Sequence, residues 1–178
     1  NNCSNKDTVT VNVLALPFVN AGPDEVICLG DSIQLSVVGA DNYIWIPNND
    51  INNNLIPNPT VYPTILTEYI VTGTDTNNCS NTDTLKVEIN DLPVIITSND
   101  TVICLGDRIS ILASGGGTYQ WLNTDSISDV SISSPQVWPS SNTTYEVVVS
   151  NIYNCVDTAE VNILVNSLPV VNAGLDQN

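Results

Sequence analysis

The landmark residues of this chain return after 76 residues, so the sequence is a tandem repeat. Cys28 recurs as Cys104, Cys79 as Cys155 and Trp45 as Trp121. The same interval relates Tyr69 to Tyr145, Cys3 to Cys79, and the Leu-Pro joints at 16–17, 92–93 and 168–169. A period of this length predicts an array of similar small units in place of one domain of 178 residues.

The period divides the chain into two complete units flanked by partial ones. We predict the tail of a preceding repeat at 1–16, complete repeats at 17–93 and 94–169, and the start of a further repeat at 170–178. The last assignment rests on Asn172-Ala173-Gly174, which repeats Asn20-Ala21-Gly22. We therefore expect the sequence to be part of a longer chain.

Short β-branched runs, broken by Asn, Asp, Gly and Pro, predict an all-β fold, since no segment shows a sustained helical period. Apolar and polar residues alternate at 32–38 and again at 85–89. About seven strands per unit predict a two-sheet sandwich. Large aromatic residues that recur with the period are expected at the centre of each core, namely Trp45, Trp121, Tyr69 and Tyr145.

Two cysteines per unit suggest how so small a domain is stabilised. A domain of this size has a marginal hydrophobic core, and disulfides are the common remedy. We predict the intradomain bonds Cys28–Cys79 and Cys104–Cys155, at one end of each sandwich, and a partner for Cys3 upstream of this sequence. The alternative is a pair of free buried thiols in each unit. Disulfides would place the protein outside the cytoplasm.

The net charge of -16 excludes several classes of partner. Lys6, Lys86 and Arg108 are the only basic residues, so nucleic acid and anionic membrane surfaces would repel the chain. No run of 18 apolar residues is present to insert into a membrane. The acidity is interpreted as a device that keeps long chains soluble. The sequence contains no His, and no positioned carboxylate pair recurs, so we predict no catalytic residue and no enzymatic activity.

Calcium is the one cofactor that the residues suggest, and apart from it we expect no cofactor. Asp24 and Asp31 bracket the first turn, and we expect Asp75 near the same end of the unit. Calcium prefers six to eight oxygen ligands, and few of these carboxylates recur in both units. The alternative is that the Asp side chains, such as Asp31 and Asp107, hydrogen-bond their own turns.

The repeat carries a recognisable string of motifs. Its first part reads Asn-Ala-Gly-Pro-Asp at 20–24, then Ile27-Cys28, Gly30-Asp31 and Tyr43-Ile44-Trp45. Its second part reads Asn58-Pro59, Thr67-Glu68-Tyr69 and a Thr-Asp-x-Asn-x-Cys element that ends at Cys79. Both units resemble the PKD-like and Ig-like repeats of giant Bacteroidota surface proteins. The resemblance implies export by the type IX system and attachment at the outer surface of the outer membrane.

One further motif resembles the O-glycan acceptor of Bacteroidota, which is Asp followed by Ser or Thr and a small apolar residue. Its hydroxyls in this chain predict candidate glycan sites at Thr84, Thr101, Ser126 and Thr158.

Three functions remain after these exclusions. The leading hypothesis is a structural stalk in a very long extracellular adhesin or filament, used in gliding or attachment, whose partners are neighbouring repeats of the same chain. The first alternative is a module in which the polar stretches 47–59 and 123–135, with Tyr62 or Trp138, bind a surface glycan or a protein. The second is a filament subunit that assembles through exposed strand edges.

Overall fold

The computed structural model describes residues 3–172 and Gly174, and this part of the chain is all-β without a helix. The first six strands are β1 (Glu25–Cys28), β2 (Ile33–Gln34), β3 (Asn42–Ile46), β4 (Thr60–Val61), β5 (Thr67–Thr74) and β6 (Ser80–Asn90). The next eight are β7 (Ile96–Thr97), β8 (Thr101–Cys104), β9 (Ile109–Ser110), β10 (Ala113–Ser114), β11 (Thr118–Trp121), β12 (Gln136–Val137), β13 (Thr143–Ser150) and β14 (Val156–Asn166).

The chain forms two compact units, Asn1–Ile89 and Asn90–Asn178. The division falls four residues before the repeat boundary that the Leu-Pro joint suggests, because β6 ends at Asn90 and the joint follows it. The repeat start predicted at 170–178 includes 173 and 175–178, which lie outside the described residues.

Each unit has a four-stranded sheet with the same strand order and, beside it, short two-stranded pairs. In the first unit a four-stranded sheet runs β1-β6-β5-β3, and β2 pairs with β4 in the second sheet. In the second unit the order is β8-β14-β13-β11, with the pairs β12-β9 and β10-β7 opposite. The long strands pair antiparallel, whereas β8 joins the edge parallel to the last part of β14. This arrangement is an immunoglobulin-like sandwich, so the predicted fold class is confirmed.

A separate hydrophobic core fills each sandwich. In the first unit it includes Trp45 and Tyr69, which are both 0% exposed, with Leu35, Val61 and Val87 around them. The core of the second unit is built around Trp121 and Tyr145, which are also 0% exposed. The alternation of side chains between the two faces of a strand explains further buried positions, because β5 and β13 both bury every second residue.

The polar stretch after each tryptophan is held against the core by backbone hydrogen bonds. The indole Nε1–H of Trp45 donates to the carbonyl of Ile56 at 3.1 Å, and its backbone N–H donates to Asn54. Leu35 and Val37 donate to the carbonyls of Pro59 and Pro57. The corresponding Trp121 Nε1–H donates to Ile132 at 3.0 Å. The stretch is therefore an ordered part of the sandwich wall in both units.

Candidate functional site

The cysteines that precede β6 and β14 sit in a matched tight turn. We call Cys79 and Cys155 the strand-start cysteines. Asp75 Oδ1 accepts hydrogen bonds from the backbone N–H groups of Asn77 and Cys79, at 2.8 and 2.9 Å. Asn78 takes a left-handed conformation at the tip, with φ of 62°. The side chain before the turn therefore fixes the position of the cysteine.

In the second unit, Asn151 takes the place of Asp75 and performs the same task. Its Oδ1 accepts from Tyr153 and Cys155, and Asn154 has a φ of 63°. The exchange of Asp for Asn between the units removes a charge but keeps the acceptor oxygen. A role in shaping the turn is thus common to both units, although the carboxylate itself is not.

The cysteines that close β1 and β8 occupy a second kind of turn. We call Cys28 and Cys104 the strand-end cysteines. Asp31 N–H donates to the carbonyl of Cys28, and Asp107 N–H to that of Cys104, each at 3.0 Å. Gly30 and Gly106 supply the positive φ that these turns require. Asp107 also accepts a hydrogen bond from the N–H of Cys104 at 3.0 Å.

The predicted intradomain disulfides are absent from the described residues. Cys28 and Cys155 are disulfide-bonded, whereas Cys79 and Cys104 are free, as is Cys3. The physical reason is clear in the second unit, where Cys104 lies opposite Asn166 at the end of β14 and Cys155 directly precedes that strand. Eleven residues of extended strand span roughly 36 Å. A disulfide needs Cα atoms within about 7 Å of each other, so Cys104 and Cys155 cannot pair.

The same separation applies to the first unit. The carboxylate of Asp24, just before β1, accepts a hydrogen bond from the N–H of Lys86 at 2.8 Å. Cys79 lies seven residues before Lys86 along the extended chain, roughly 23 Å away. Cys28 follows Asp24 by only four residues and ends the strand beside β6. The sequence prediction was wrong because it placed both cysteines at one end of the sandwich.

The calcium candidates are dispersed by the same arrangement. Asp24 binds the N–H of Lys86 in the second half of β6, and Asp75 caps the turn that precedes β6. Asp31 follows β1 and belongs to the strand-end turn. Asp75 therefore does not approach the other two, contrary to the expectation. No group of three or more metal-ligating side chains occurs within residues 3–172 and 174.

Tyr69 and Tyr145 are equivalent in sequence but differ in their hydrogen bonds. The hydroxyl of Tyr145 donates to the carbonyl of Ser126 at 3.2 Å. The buried hydroxyl of Tyr69 has no hydrogen-bond partner among the described residues. Burial, followed by the charge of Asp50 and the neighbouring Tyr62, raises the pKa of Tyr69 to about 12. Burial also raises the pKa of Tyr145.

A second tyrosine that recurs with the period hydrogen-bonds to the backbone three residues before it. The hydroxyl of Tyr43 donates to the carbonyl of Ala40 at 2.7 Å and accepts from the Ala40 N–H. Tyr119, its equivalent, donates to the carbonyl of Gly116. The return of Tyr43 as Tyr119 with the period was the signal that could have identified this tyrosine.

A polar depression of about 430 Å³ lies on the second unit. Its lining includes Asp125, Ser126, Ser140 and Ser141. Trp138 is one of the two aromatic residues of the alternative binding hypothesis, and its ring lies under the Arg108 guanidinium, with 4.2 Å from Cζ to the ring centroid. Tyr62, its equivalent in the first unit, is 48% exposed. Hydroxyl and carboxylate groups thus line this depression, and the indole of Trp138 is partly covered.

The candidate glycan hydroxyls differ in accessibility. Thr84, Thr101 and Thr158 are exposed on β6, β8 and β14. Ser126 is half-buried, has a φ of 58°, and uses its carbonyl to accept from Tyr145 and Trp138. Ser126 is therefore the least accessible of the four candidates.

No helix of the described residues has the length and apolarity needed to cross a membrane. No protein-family model and no curated protein matches the sequence. Among solved structures, the chain is similar to DIP-gamma IG1+IG2, at 13% identity over 85% of this chain and 98% of that one, with a TM-score of 0.40. The insect immune protein hemolin aligns at 13% identity over 84% of this chain and 47% of its own, with a TM-score of 0.42. Titin domains I67–I69 align at 11% identity over 87% of this chain and 67% of their own, with a TM-score of 0.42.

Proposed function

We propose that this chain is a section of a structural stalk in a very long extracellular surface adhesin or filament. The observation that carries the proposal is what the two repeats share. Both keep the buried tryptophan, the bond from its indole to the polar stretch, and both cysteine turns. The positions of the carboxylates in the two polar stretches, the exposed aromatic residues and the glycan-type hydroxyls differ between units. Shared architecture with variable surface is what a spacer requires, because its function is reach.

The first described segment supports an array that continues upstream. Val9, Val11 and Val13 are 88%, 77% and 91% exposed. By the period they correspond to Leu85, Val87 and Ile89, of which the first two are buried. Alternating valines of this kind are typical of a last strand that lacks the remainder of its sandwich. We infer that residues 1–16 complete a preceding repeat.

Export and surface attachment complete the proposal. A disulfide favours an oxidising compartment, and the resemblance of the motifs to Bacteroidota surface repeats favours attachment outside the outer membrane for gliding or adhesion. The charge of -16 would limit lateral association of long chains. O-glycosylation at the exposed Thr84, Thr101 and Thr158 belongs to the same proposal, and intact mass of native material would detect it.

The stalk function predicts that repeats can be removed without loss of binding. Deleting residues 94–169, one full period, should bring an epitope at the adhesive end closer to the cell surface by about one unit. The longest strand of a unit spans eleven residues, or roughly 36 Å, which sets the scale of that change. Immunogold electron microscopy of the native surface would measure the distance. An unchanged distance, or loss of adhesion by an otherwise stable variant, would contradict the proposal.

The polar depression supports one alternative, a glycan-binding module. Ser140 and Ser141 at its rim could donate to sugar hydroxyls, and Asp125 could accept from them. A glycan array probed with this chain would test it, with a Ser140→Ala and Ser141→Ala double variant as the matched control. Binding that the double variant abolishes would favour this module over the stalk.

A further inference from the structure

An aspartate that recurs with the period stands directly before one edge strand of each unit. In the first unit Asp24 precedes β1, and its Oδ1 accepts a hydrogen bond from the backbone N–H of Lys86 at 2.8 Å. In the second unit Asp100 precedes β8, and its Oδ1 accepts from the backbone N–H of Asn162 at the same distance. Lys86 and Asn162 are themselves one period apart, on β6 and β14. Each carboxylate therefore ties the beginning of an edge strand to the long strand beside it.

The second unit adds a further hydrogen bond to this link. Asp100 Oδ2 accepts from the side-chain Nδ2–H of the same Asn162 at 3.2 Å. The Oδ1 atom of Asn162 accepts in turn from the hydroxyl of Thr144, its register partner on β13, at 2.6 Å. A row of hydrogen-bonded side chains thus crosses three neighbouring strands. Hydrogen bonds to an ionised acceptor are the stronger kind, so the carboxylate makes the firmest contacts in this row.

The two strands that the carboxylate joins are arranged to resist tension. β8 pairs in parallel with the last part of β14, from Thr101 opposite Ile163 to Cys104 opposite Asn166. The chain enters β8 at Thr101 and leaves β14 at Asn166, so tension along the chain pulls the two strands past each other along their length. The hydrogen bonds between them then share the tension, whereas the bonds of a hairpin would open one at a time. Asp100 lies where the tension enters β8, one residue before the first paired position.

We propose that this recurring aspartate is a tension-bearing link, which slows the unfolding of its repeat when the chain is pulled. The inference rests on the stalk function, because a stalk between the cell and its adhesive end transmits tension. Sliding of β8 along β14 cannot begin until the link at Asp100 has broken. A bond that breaks before the transition state controls the rate of forced unfolding, whereas a bond that remains intact in it does not. The position of the carboxylate therefore lets a single side chain slow forced unfolding.

A constant-force measurement on the whole chain, held by its two ends, tests the inference. Reducing conditions ensure that no disulfide shortens the stretched path. The two compact units should unfold in two steps. Asp100→Ala should raise the rate of one step about tenfold and leave the other unchanged, because hydrogen bonds to an ionised acceptor are lost. Asp24→Ala should act on the other step, and the double variant on both.

Asp129 provides a matched control in the same unit. Its Oδ1 accepts from the N–H and the hydroxyl of Ser131, at 2.8 and 2.6 Å, in the polar stretch and outside both terminal strands. Asp129→Ala removes the same charge and the same number of hydrogen bonds as Asp100→Ala, but it should leave both rates under force unchanged. Asp100→Asn keeps one acceptor oxygen and should raise the rate by a smaller factor, so it tests the link even if alanine prevents folding.

Unfolding in urea separates the effect of tension from general destabilisation, since urea acts without direction. Asp100→Ala should accelerate unfolding more under force than in urea. Equal acceleration under both conditions, equal acceleration by Asp129→Ala, identical rates for the two Asp100 variants, or no acceleration by them would each overturn the inference. None of these results would contradict the stalk function, which is tested by the distance of the adhesive epitope from the cell surface.

Discussion

The equivalent tyrosines of the two units offer a test of how the cores are stabilised. Tyr69 and Tyr145 have the same fold position and are both fully buried, but only Tyr145 has a hydrogen-bond partner for its hydroxyl. Replacement by Phe removes one oxygen from each site and leaves the ring in place. We therefore expect Tyr145→Phe to destabilise its unit and Tyr69→Phe to stabilise its own.

The magnitudes follow from the two environments. Tyr145→Phe removes one neutral hydrogen bond, which is worth about 0.5–1.5 kcal/mol, and the Ser126 carbonyl retains its bond from the Trp138 N–H. Tyr69→Phe removes a buried hydroxyl without a partner, whose desolvation costs about 1–3 kcal/mol. The free energy of unfolding should thus fall in the second unit and rise in the first.

Native-state hydrogen exchange measures each unit separately in one sample. The amides of Val71 in β5 and Val147 in β13 lie at equivalent places in the two cores. A change of about 1.4 kcal/mol in the free energy of opening alters the exchange rate tenfold. Tyr69→Phe should slow exchange at Val71 alone, and Tyr145→Phe should accelerate it at Val147 alone.

The reasoning fails if the two variants behave alike. Equal acceleration of exchange at Val71 and Val147 would mean that the Tyr69 hydroxyl is satisfied in solution. A change in both units from one substitution would mean that the two cores do not open independently.

Three further predictions concern the core, the turns and alkaline pH. Trp121→Ala should cost about 3–5 kcal/mol and unfold the second unit while the first remains folded, whereas Trp138→Ala should have a smaller effect. Urea unfolding followed by amide exchange would measure both losses, and a larger loss for Trp138→Ala would contradict the prediction. Asp75→Asn should be nearly neutral, because Asn151 makes the same turn, and Asp75→Ala should cost about 1–2 kcal/mol in thermal unfolding, since two amides lose their acceptor. The raised pKa of Tyr69 means that its contribution to stability is fully present below pH 10.0 and is lost as pH rises towards about 12. Tyr69→Phe should therefore reduce the decrease of the unfolding midpoint between pH 10.0 and about 12. An unchanged dependence of the midpoint on pH would argue against this reasoning.

The fold class could be predicted because it depends on local patterns. Alternation in β5 and β6 fixes which residues face inward, and the aromatic residues predicted for the two core centres, Trp45, Trp121, Tyr69 and Tyr145, are all 0% exposed. The polar stretch at 47–59 was harder to interpret. Its composition suggests an open loop, but the bonds from Trp45, Leu35 and Val37 hold its backbone in the sandwich wall. Those bonds join segments that no local pattern connects.

The sequence by itself determined the period, the strands, the core residues and the presence of two cysteine turns per repeat. Each of these follows from the pattern of neighbouring residues or from its recurrence with the period. Only the tertiary structure decided which ends of the sandwich those turns occupy. Strand β8 runs parallel to β14 and meets its final residues, so Cys104 lies opposite Asn166 and far from Cys155. A parallel pairing between segments some sixty residues apart leaves no trace in local spacing, and two cysteines of one repeat therefore look like partners until the register is known.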